Sequence, residues 1–165
     1  MALTGDKLRS LVKRNLGFGA DATDDAITDK ALCRVRFQVT APTAWATAGT
    51  DGTLIICKTD RRFIVDLVSI NPSAVMTVSE SVYDTLTFSV EDGAAGGLTT
   101  IATAVTNAAG VGTIAARVAT AATLTSTTAN LLIPAGYQIS CAKTHASTGT
   151  AVPEGTLITV EGYWA

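Results

Sequence analysis

Charged side chains are scarce in this chain of 165 residues, because lysine, arginine, aspartate and glutamate make up only 16% of it. An ordinary soluble domain carries about 25%. Hydrophobic residues reach 47%, yet no apolar run approaches the ~18–20 residues that span a bilayer, which speaks against a membrane partner. We therefore predict that other subunits cover part of the surface, because the centre of a shared interface is depleted in charge.

Several further absences narrow the class of protein. The formal net charge is −2, which provides no general basis for nucleic-acid binding. Residues 1–15 lack the apolar core of a signal peptide. The cysteines, Cys33, Cys57 and Cys141, are odd in number and lie in apolar or alternating segments. We interpret them as reduced core residues, in keeping with synthesis in a host cytoplasm.

Catalytic signatures are also missing. His145 is the single histidine. Together with Cys141 it could supply two zinc ligands, but no second ligand pair lies nearby. The members of a Ser-His-Asp triad need not be close in sequence, so that alternative stays open, although no nucleophile-elbow motif supports it. A solvated loop histidine is the preferred interpretation, and we predict that the protein is not an enzyme.

Cofactor and metal motifs are equally weak. Asp24 with Asp25, and Glu91 with Asp92, could bind Ca²⁺, but an acidic linker and a turn explain them more simply. The glycines of 17–19 lack the third glycine and the preceding strand of a dinucleotide-binding loop. We predict neither a cofactor nor a metal.

The clearest positive signal is strict alternation over 84–90. Leu86, Phe88 and Val90 fall on one face, and hydroxyl side chains fall on the other. This period of two is typical of a β-strand with one buried and one wet face. Glycine-rich and acidic residues end the segment and indicate a turn.

Similar short strands, separated by Gly, Pro and Asx turns, recur along the chain. We predict strands over 32–40, 53–58, 62–70, 75–79, 84–90, 111–119, 129–133, 137–142 and 156–164. The segment 98–107 is predicted to be a helical turn or a loop. This series favours an all-β, antiparallel jelly-roll β-sandwich. Its predicted core includes Val35, Phe37, Phe63, Leu86, Phe88, Ile139, Ile158 and Val160.

A stretch of fifty residues, 93–142, contains Arg117 as its only charged residue. A low-complexity disordered tract is one interpretation, but the strand-like segments within it argue for folded structure. Such a surface would be unusually apolar on a monomer. We therefore predict a homo-oligomer.

The amino-terminal residues differ from the rest of the chain. Four basic residues outweigh one acidic residue in 1–15, and apolar residues recur there at helical spacing. We predict domain boundaries of 1–31, a basic arm with an acidic linker, and 32–165, the sandwich. The arm is a short helix or an extended terminus. The residues proposed to contact a capsid are Lys7, Leu8, Arg9, Leu11, Val12, Lys13 and Arg14.

The carboxyl-terminal part, about 53–165, resembles the jelly-roll structural proteins of tailed-phage virions, of the capsid decoration (cement) or head-fibre type. The resemblance lies in turn residues and alternation rather than in catalytic residues. It rests on the ordered segments 62–70, 85–93, 132–136, 149–155 and 157–163.

This resemblance implies a non-enzymatic protein on the capsid surface of a virion, with the major capsid protein and copies of itself, as a homotrimer, for partners. The alternative is a receptor- or glycan-binding head domain of a fibre or tail, which would need exposed aromatic and carboxylate groups at loop tips. Trp45 and Trp164 are instead interpreted as core or interface residues.

Overall fold

Ten β-strands form the described part of the chain. The structure, a computed structural model, describes residues 34–77, 79–92, 98–107 and 109–165. The strands are β1 (Arg34–Thr40), β2 (Gly52–Lys58), β3 (Phe63–Asn71), β4 (Tyr83–Glu91), β5 (Thr99–Val105), β6 (Thr120–Ala121), β7 (Thr123–Leu124), β8 (Leu132–Ile133), β9 (Gln138–Ala146) and β10 (Leu157–Trp164). Short 3-10 helices cover Thr43–Ala46 and Thr128–Leu131. The all-β prediction is confirmed, and the predicted arm and linker, 1–31, lie outside the described residues.

The strands form two antiparallel sheets with nested pairing. Sheet A has the order β1-β10-β3-β6, with β8 also paired to β3, and sheet B has the order β2-β9-β4-β5-β7. The first strand thus pairs with the last, the second with the one before the last, and the pairing continues inward to β4 with β5. This nesting is the jelly-roll arrangement that the sequence predicts.

Strand β4 is the central strand of sheet B, as its alternation predicts. Leu86 and Phe88 are fully buried, while Thr85 and Thr87 are half-buried on the opposite face. Strand β9 pairs along the whole of β4 on one side, and β5 pairs on the other. Over 85–90 the backbone of β4 thus has a neighbouring strand on both sides, and such pairing satisfies the polar backbone groups of a buried strand.

The core lies between the two sheets. Six of the eight predicted core residues are buried there: Phe63, Leu86, Phe88, Ile139, Ile158 and Val160. Val35 and Phe37 are only partly buried, although they pack against the core. The reason is their position on β1, which is an edge strand of sheet A and has a neighbouring strand on one side only.

Both tryptophan side chains pack in or against the hydrophobic core. Trp45 is 1% exposed, and the ring of Trp164 lies edge-on to Phe37 and Phe63 at centroid distances of 6.0 and 5.3 Å.

The register of β10 shifts next to Gly162, where an added Cβ would come within 1.9 Å of the Ile64 carbonyl oxygen. Only glycine fits at this bulge, because any side chain would overlap the neighbouring backbone.

Two local predictions are wrong. The segment 98–107 contains strand β5 rather than a helical turn or a loop. Its threonine and β-branched residues suit a strand, and pairing with β4 selects that conformation. In place of strands over 75–79 and 111–119, the described residues form one isolated bridge between Met76 and Ile114. Both residues are buried, so their apolar character reflects loop packing rather than a ladder.

A third prediction is partly wrong. The segment predicted as a strand over 129–133 begins within the 3-10 helix Thr128–Leu131 and becomes extended only in β8. Strand β8 pairs with Phe63 and Ile64 of β3. The apolar run thus supplies two strand residues instead of five, because its first three residues belong to the 3-10 helix.

Candidate binding surfaces

The residues predicted to contact a capsid, from Lys7 to Arg14, lie outside the described residues, as do Cys33 and the carboxylates Asp24 and Asp25. The described part of the chain offers three other surfaces. These are the outer face of sheet A, the end of the sandwich near Asp84, and the outer face of sheet B.

The outer face of sheet A carries a groove of about 500 Å³. Cross-strand partners on an antiparallel sheet point to the same side, and the register aligns Gln38, Thr159, Ser69 and Ala121 across four strands. The groove is lined by Arg36, Gln38, Leu67, Ser69, Asn71, Ala119, Ala121, Leu157, Thr159 and Glu161.

One end of this groove is closed by ion pairs. The Glu161 side chain is 11% exposed and lies 2.6 Å from the Arg36 guanidinium and 3.2 Å from that of Arg34. Arg34 also lies 3.4 Å from Asp66. The two arginines are half-exposed, so solvent screens these pairs and their contribution to stability is modest. Their role is to fix the orientation of the carboxylate and of the guanidinium groups.

The groove is suited to a polar, uncharged ligand. Gln38 and Asn71 provide amide donors and acceptors, and Ser69 and Thr159 provide hydroxyls. The Arg36–Glu161 pair already neutralises itself, which leaves no net charge to attract a strongly anionic or cationic ligand.

A buried ion pair lies between sheet B and the loops at one end of the sandwich. The Lys143 ammonium is 3.3 Å from the Asp84 carboxylate, and both side chains are fully inaccessible to solvent. Lys143 also donates to the Thr50 carbonyl oxygen at 2.8 Å. Asp84 accepts bonds from the backbone N–H of Thr150 at 3.2 Å and from its hydroxyl at 2.8 Å. Buried charges are tolerated only when they are paired and hydrogen-bonded in this way.

This network ties two loops to the sheet. Thr50 belongs to the loop before β2 and Thr150 to the loop after β9, while Asp84 and Lys143 are fixed in β4 and β9. The pair was not predicted from the sequence, although a signal for it is present there. Asp84 lies in phase with Leu86 and Phe88, and Lys143 lies in phase with Ile139 and Cys141, so each charge occupies the buried face of its strand.

His145 lies beside this network at the surface, within strand β9 and not in the loop predicted from the sequence. Its Nδ1 is 2.6 Å from the Asp51 carboxylate, and the register places the histidine opposite Asp84 on β4. Within the described residues, no serine, threonine or cysteine side chain forms a hydrogen bond with the ring. The pair forms a contact between β9 and the loop before β2.

Metal-ligand geometry is missing from the described residues, where no group of three or more His, Cys, Asp or Glu side chains converges. Glu91 ends β4, and Asp92 is exposed immediately after it. Cys141 is buried inside the sandwich, whereas the His145 ring faces Asp51. The two potential zinc ligands, Cys141 and His145, therefore lie in different surroundings, the first in the core and the second at the surface.

Cys57 and Cys141 are free thiols, as predicted. Burial raises the pKa of the Cys57 thiol to about 12, and it raises the pKa of the Cys141 thiol still further. Desolvation disfavours the thiolate, which is the reactive form. Both thiols are consequently neutral and inert near neutral pH in the folded protein.

This inertness can be tested by alkylation of a Cys33→Ser variant with iodoacetamide at pH 8. We expect native Cys57 to react roughly 10³-fold more slowly than a solvated thiol, in proportion to its smaller thiolate fraction. Cys141 should react more slowly still. The same variant in concentrated guanidinium chloride is the control and should incorporate two labels. Rapid labelling of either cysteine without denaturant would contradict the burial of these thiols.

The outer face of sheet B consists of small hydroxyl and apolar side chains in rows. Cross-strand register defines one row across all five strands, formed by Thr53, Ala142, Thr87, Thr103 and Thr123. A second row contains Ile55, Ser140, Ser89 and Thr100, and a third contains Thr144, Thr85 and Val105. None of these three rows contains a charged residue.

Among the described residues, no helix has the length and apolar character needed to cross a membrane. Comparison of the chain with protein-family models, with curated proteins and with solved structures gave no match.

Proposed function

We propose that this chain is a non-enzymatic structural protein of a tailed-phage virion, which binds the outer surface of the capsid and joins adjacent capsomers. The observation that carries the proposal is the nested jelly-roll pairing of β1 with β10 and of β2 with β9. It is the fold expected from the sequence resemblance over 53–165. A jelly roll serves many functions, so the test must measure where the protein is located.

In this proposal the chain is made in the host cytoplasm and then attaches to the capsid surface. Its partners are the major capsid protein and further copies of itself, with the trimer as the number that the resemblance implies. Attachment would use modest contacts repeated over many copies, whose combined effect exceeds that of any single contact. The basic arm would add charge complementarity.

Cryo-electron microscopy of the virion that encodes this chain tests the location. Density for many copies distributed over the shell is the expected result. Copies confined to a fibre, a tail or one vertex would favour the second candidate below. Finding no copies in purified virions, by mass spectrometry of their proteins, would overturn the proposal.

The arm provides a separate prediction. Changing Lys7, Arg9, Lys13 and Arg14 to glutamine should weaken binding to capsids that lack this protein, by about tenfold or more at low salt, where surface charges are least screened. Binding can be measured by co-sedimentation with the capsids. The matched control changes Arg61 and Arg62, two exposed basic residues of the sandwich, to glutamine and should bind as the unmodified protein does. Full affinity after deletion of 1–16 would show instead that the sandwich carries the attachment.

The groove on sheet A favours a second candidate function, the binding of a receptor or glycan by a fibre or tail domain. Its amide and hydroxyl groups suit a polyhydroxylated ligand. The exposed loop-tip aromatic groups expected for that function are not supplied by Trp45, which is buried. Glycan-array binding that is lost in Gln38→Ala and Asn71→Ala would support this candidate.

A further inference from the structure

The outer face of sheet B differs from the outer face of sheet A in its lack of charge. Its three central rows are built from threonine, serine, alanine, isoleucine and valine. Charges appear only in the terminal row, where Lys58 and Glu91 flank Gln138. The outer face of sheet A, by contrast, carries Arg34, Arg36 and Glu161 across its strands.

Two large apolar side chains are exposed on this face or next to it in the chain. Ile55 is 57% exposed in the row that contains Ser140 and Ser89. Leu98 is 61% exposed and lies two residues before Thr100, which belongs to that row. Large apolar side chains in an uncharged, regular face indicate a surface that is covered in the working protein.

We infer that this face packs against the same face of a second copy of the chain. The chemistry of the face favours a copy of itself over an unrelated partner. Ser89 and Ser140 are buried within the face, so its accessible hydroxyls are those of threonine. A hydroxyl both donates and accepts hydrogen bonds, so a hydroxyl face is complementary to itself. A face of carboxylates or ammonium groups would repel its own copy. An interface between identical surfaces needs this kind of self-complementarity.

The area of this face limits the affinity expected between two copies. Five strands spaced about 4.8 Å apart, with five rows about 7 Å apart along the strands, cover roughly 500 Å². A stable interface of standard size buries about 800 Å² on each partner. The face is therefore at the small end, and we expect reversible association with a dissociation constant in the micromolar range.

Sedimentation velocity between about 1 and 500 μM tests the inference on the full chain. The unmodified protein should shift from monomer to oligomer over this range. Ile55→Arg and Thr87→Arg each place a charge on the face, where the second copy would desolvate it without a partner. Each should raise the dissociation constant at least about 30-fold. The matched control is Thr40→Arg, which adds the same charge to the exposed outer side of β1 in sheet A and should leave association within about twofold.

Two outcomes would overturn the inference: a protein that stays monomeric up to 500 μM, or association that neither substitution on sheet B weakens. Ile55 is exposed on an edge strand, so its variant keeps the test valid even if Thr87→Arg fails to fold. Packing of identical faces closes a two-fold dimer, whereas a cyclic trimer is held by contacts between two different surfaces of each copy. The contact inferred here is therefore distinct from the one that would hold the trimer. No capsid is present in this experiment, so its result is independent of whether the protein is found in virions.

Discussion

Replacement of Asp84 by alanine should lower the free energy of unfolding by about 3–5 kcal/mol, because it leaves the Lys143 ammonium buried without its counter-charge. Both side chains are inaccessible to solvent, and the carboxylate also holds Thr150 by two hydrogen bonds. A loss of this size is a large share of the ~5–15 kcal/mol that stabilises a typical domain. Urea denaturation, followed by circular dichroism, measures it.

The control for this prediction is Asp66→Ala. Asp66 also contacts an arginine, at 3.4 Å, but its side chain is 49% exposed, so the cost should stay below about 1 kcal/mol. The double variant Asp84→Ala with Lys143→Met removes both charges and should lose less than the sum of the two single variants. Additive losses, or a cost below about 1 kcal/mol for Asp84→Ala, would show that the two groups do not stabilise each other.

A second large effect is expected from Phe88→Ala in the centre of β4. The ring is fully buried between the sheets, and truncation of a buried phenylalanine costs about 3–5 kcal/mol through lost transfer energy and the cavity left behind. The same urea titration measures the loss. The midpoint should fall while the denaturant slope stays nearly constant, since the folded state keeps its compactness.

Val75→Ala is the matched control for Phe88→Ala. Val75 is an apolar residue, 54% exposed, so its truncation should change stability by less than about 0.5 kcal/mol. If Phe88→Ala were as mild as Val75→Ala, Phe88 could not be a core residue of a sandwich. A mainly helical circular-dichroism spectrum would contradict the fold itself.

The strand pattern of this protein follows largely from local chemistry. Alternation over 84–90 predicts which side of β4 is buried, and Leu86 and Phe88 are found there. The same argument identifies β1, β9 and β10, because a strand with one buried face needs apolar residues at every second position. It fails in the region around Met76 and Ile114, where two buried residues of mostly exposed loops form a single bridge instead of a strand pair.

The candidate surfaces were harder to foresee. The composition predicts a surface poor in charge, since Arg117 is the only charged residue over 93–142. It does not indicate that hydroxyls from β2, β4, β5, β7 and β9 share one face. That face depends on which strands become neighbours and in which register, and a shift of one residue would turn its threonines inward.

By itself, then, the sequence determined the six strands β1, β2, β3, β4, β9 and β10, the buried side of those that alternate, and the reduced state of Cys57 and Cys141. The tertiary structure alone decided that Lys143 meets Asp84, that His145 meets Asp51, and that a groove opens on sheet A. The physical reason is the range of the interactions. Alternation acts between residues two apart, whereas these contacts join residues 59 to 94 positions apart, from Lys143 to Asp84 and from His145 to Asp51, and only the pairing of whole strands brings them together.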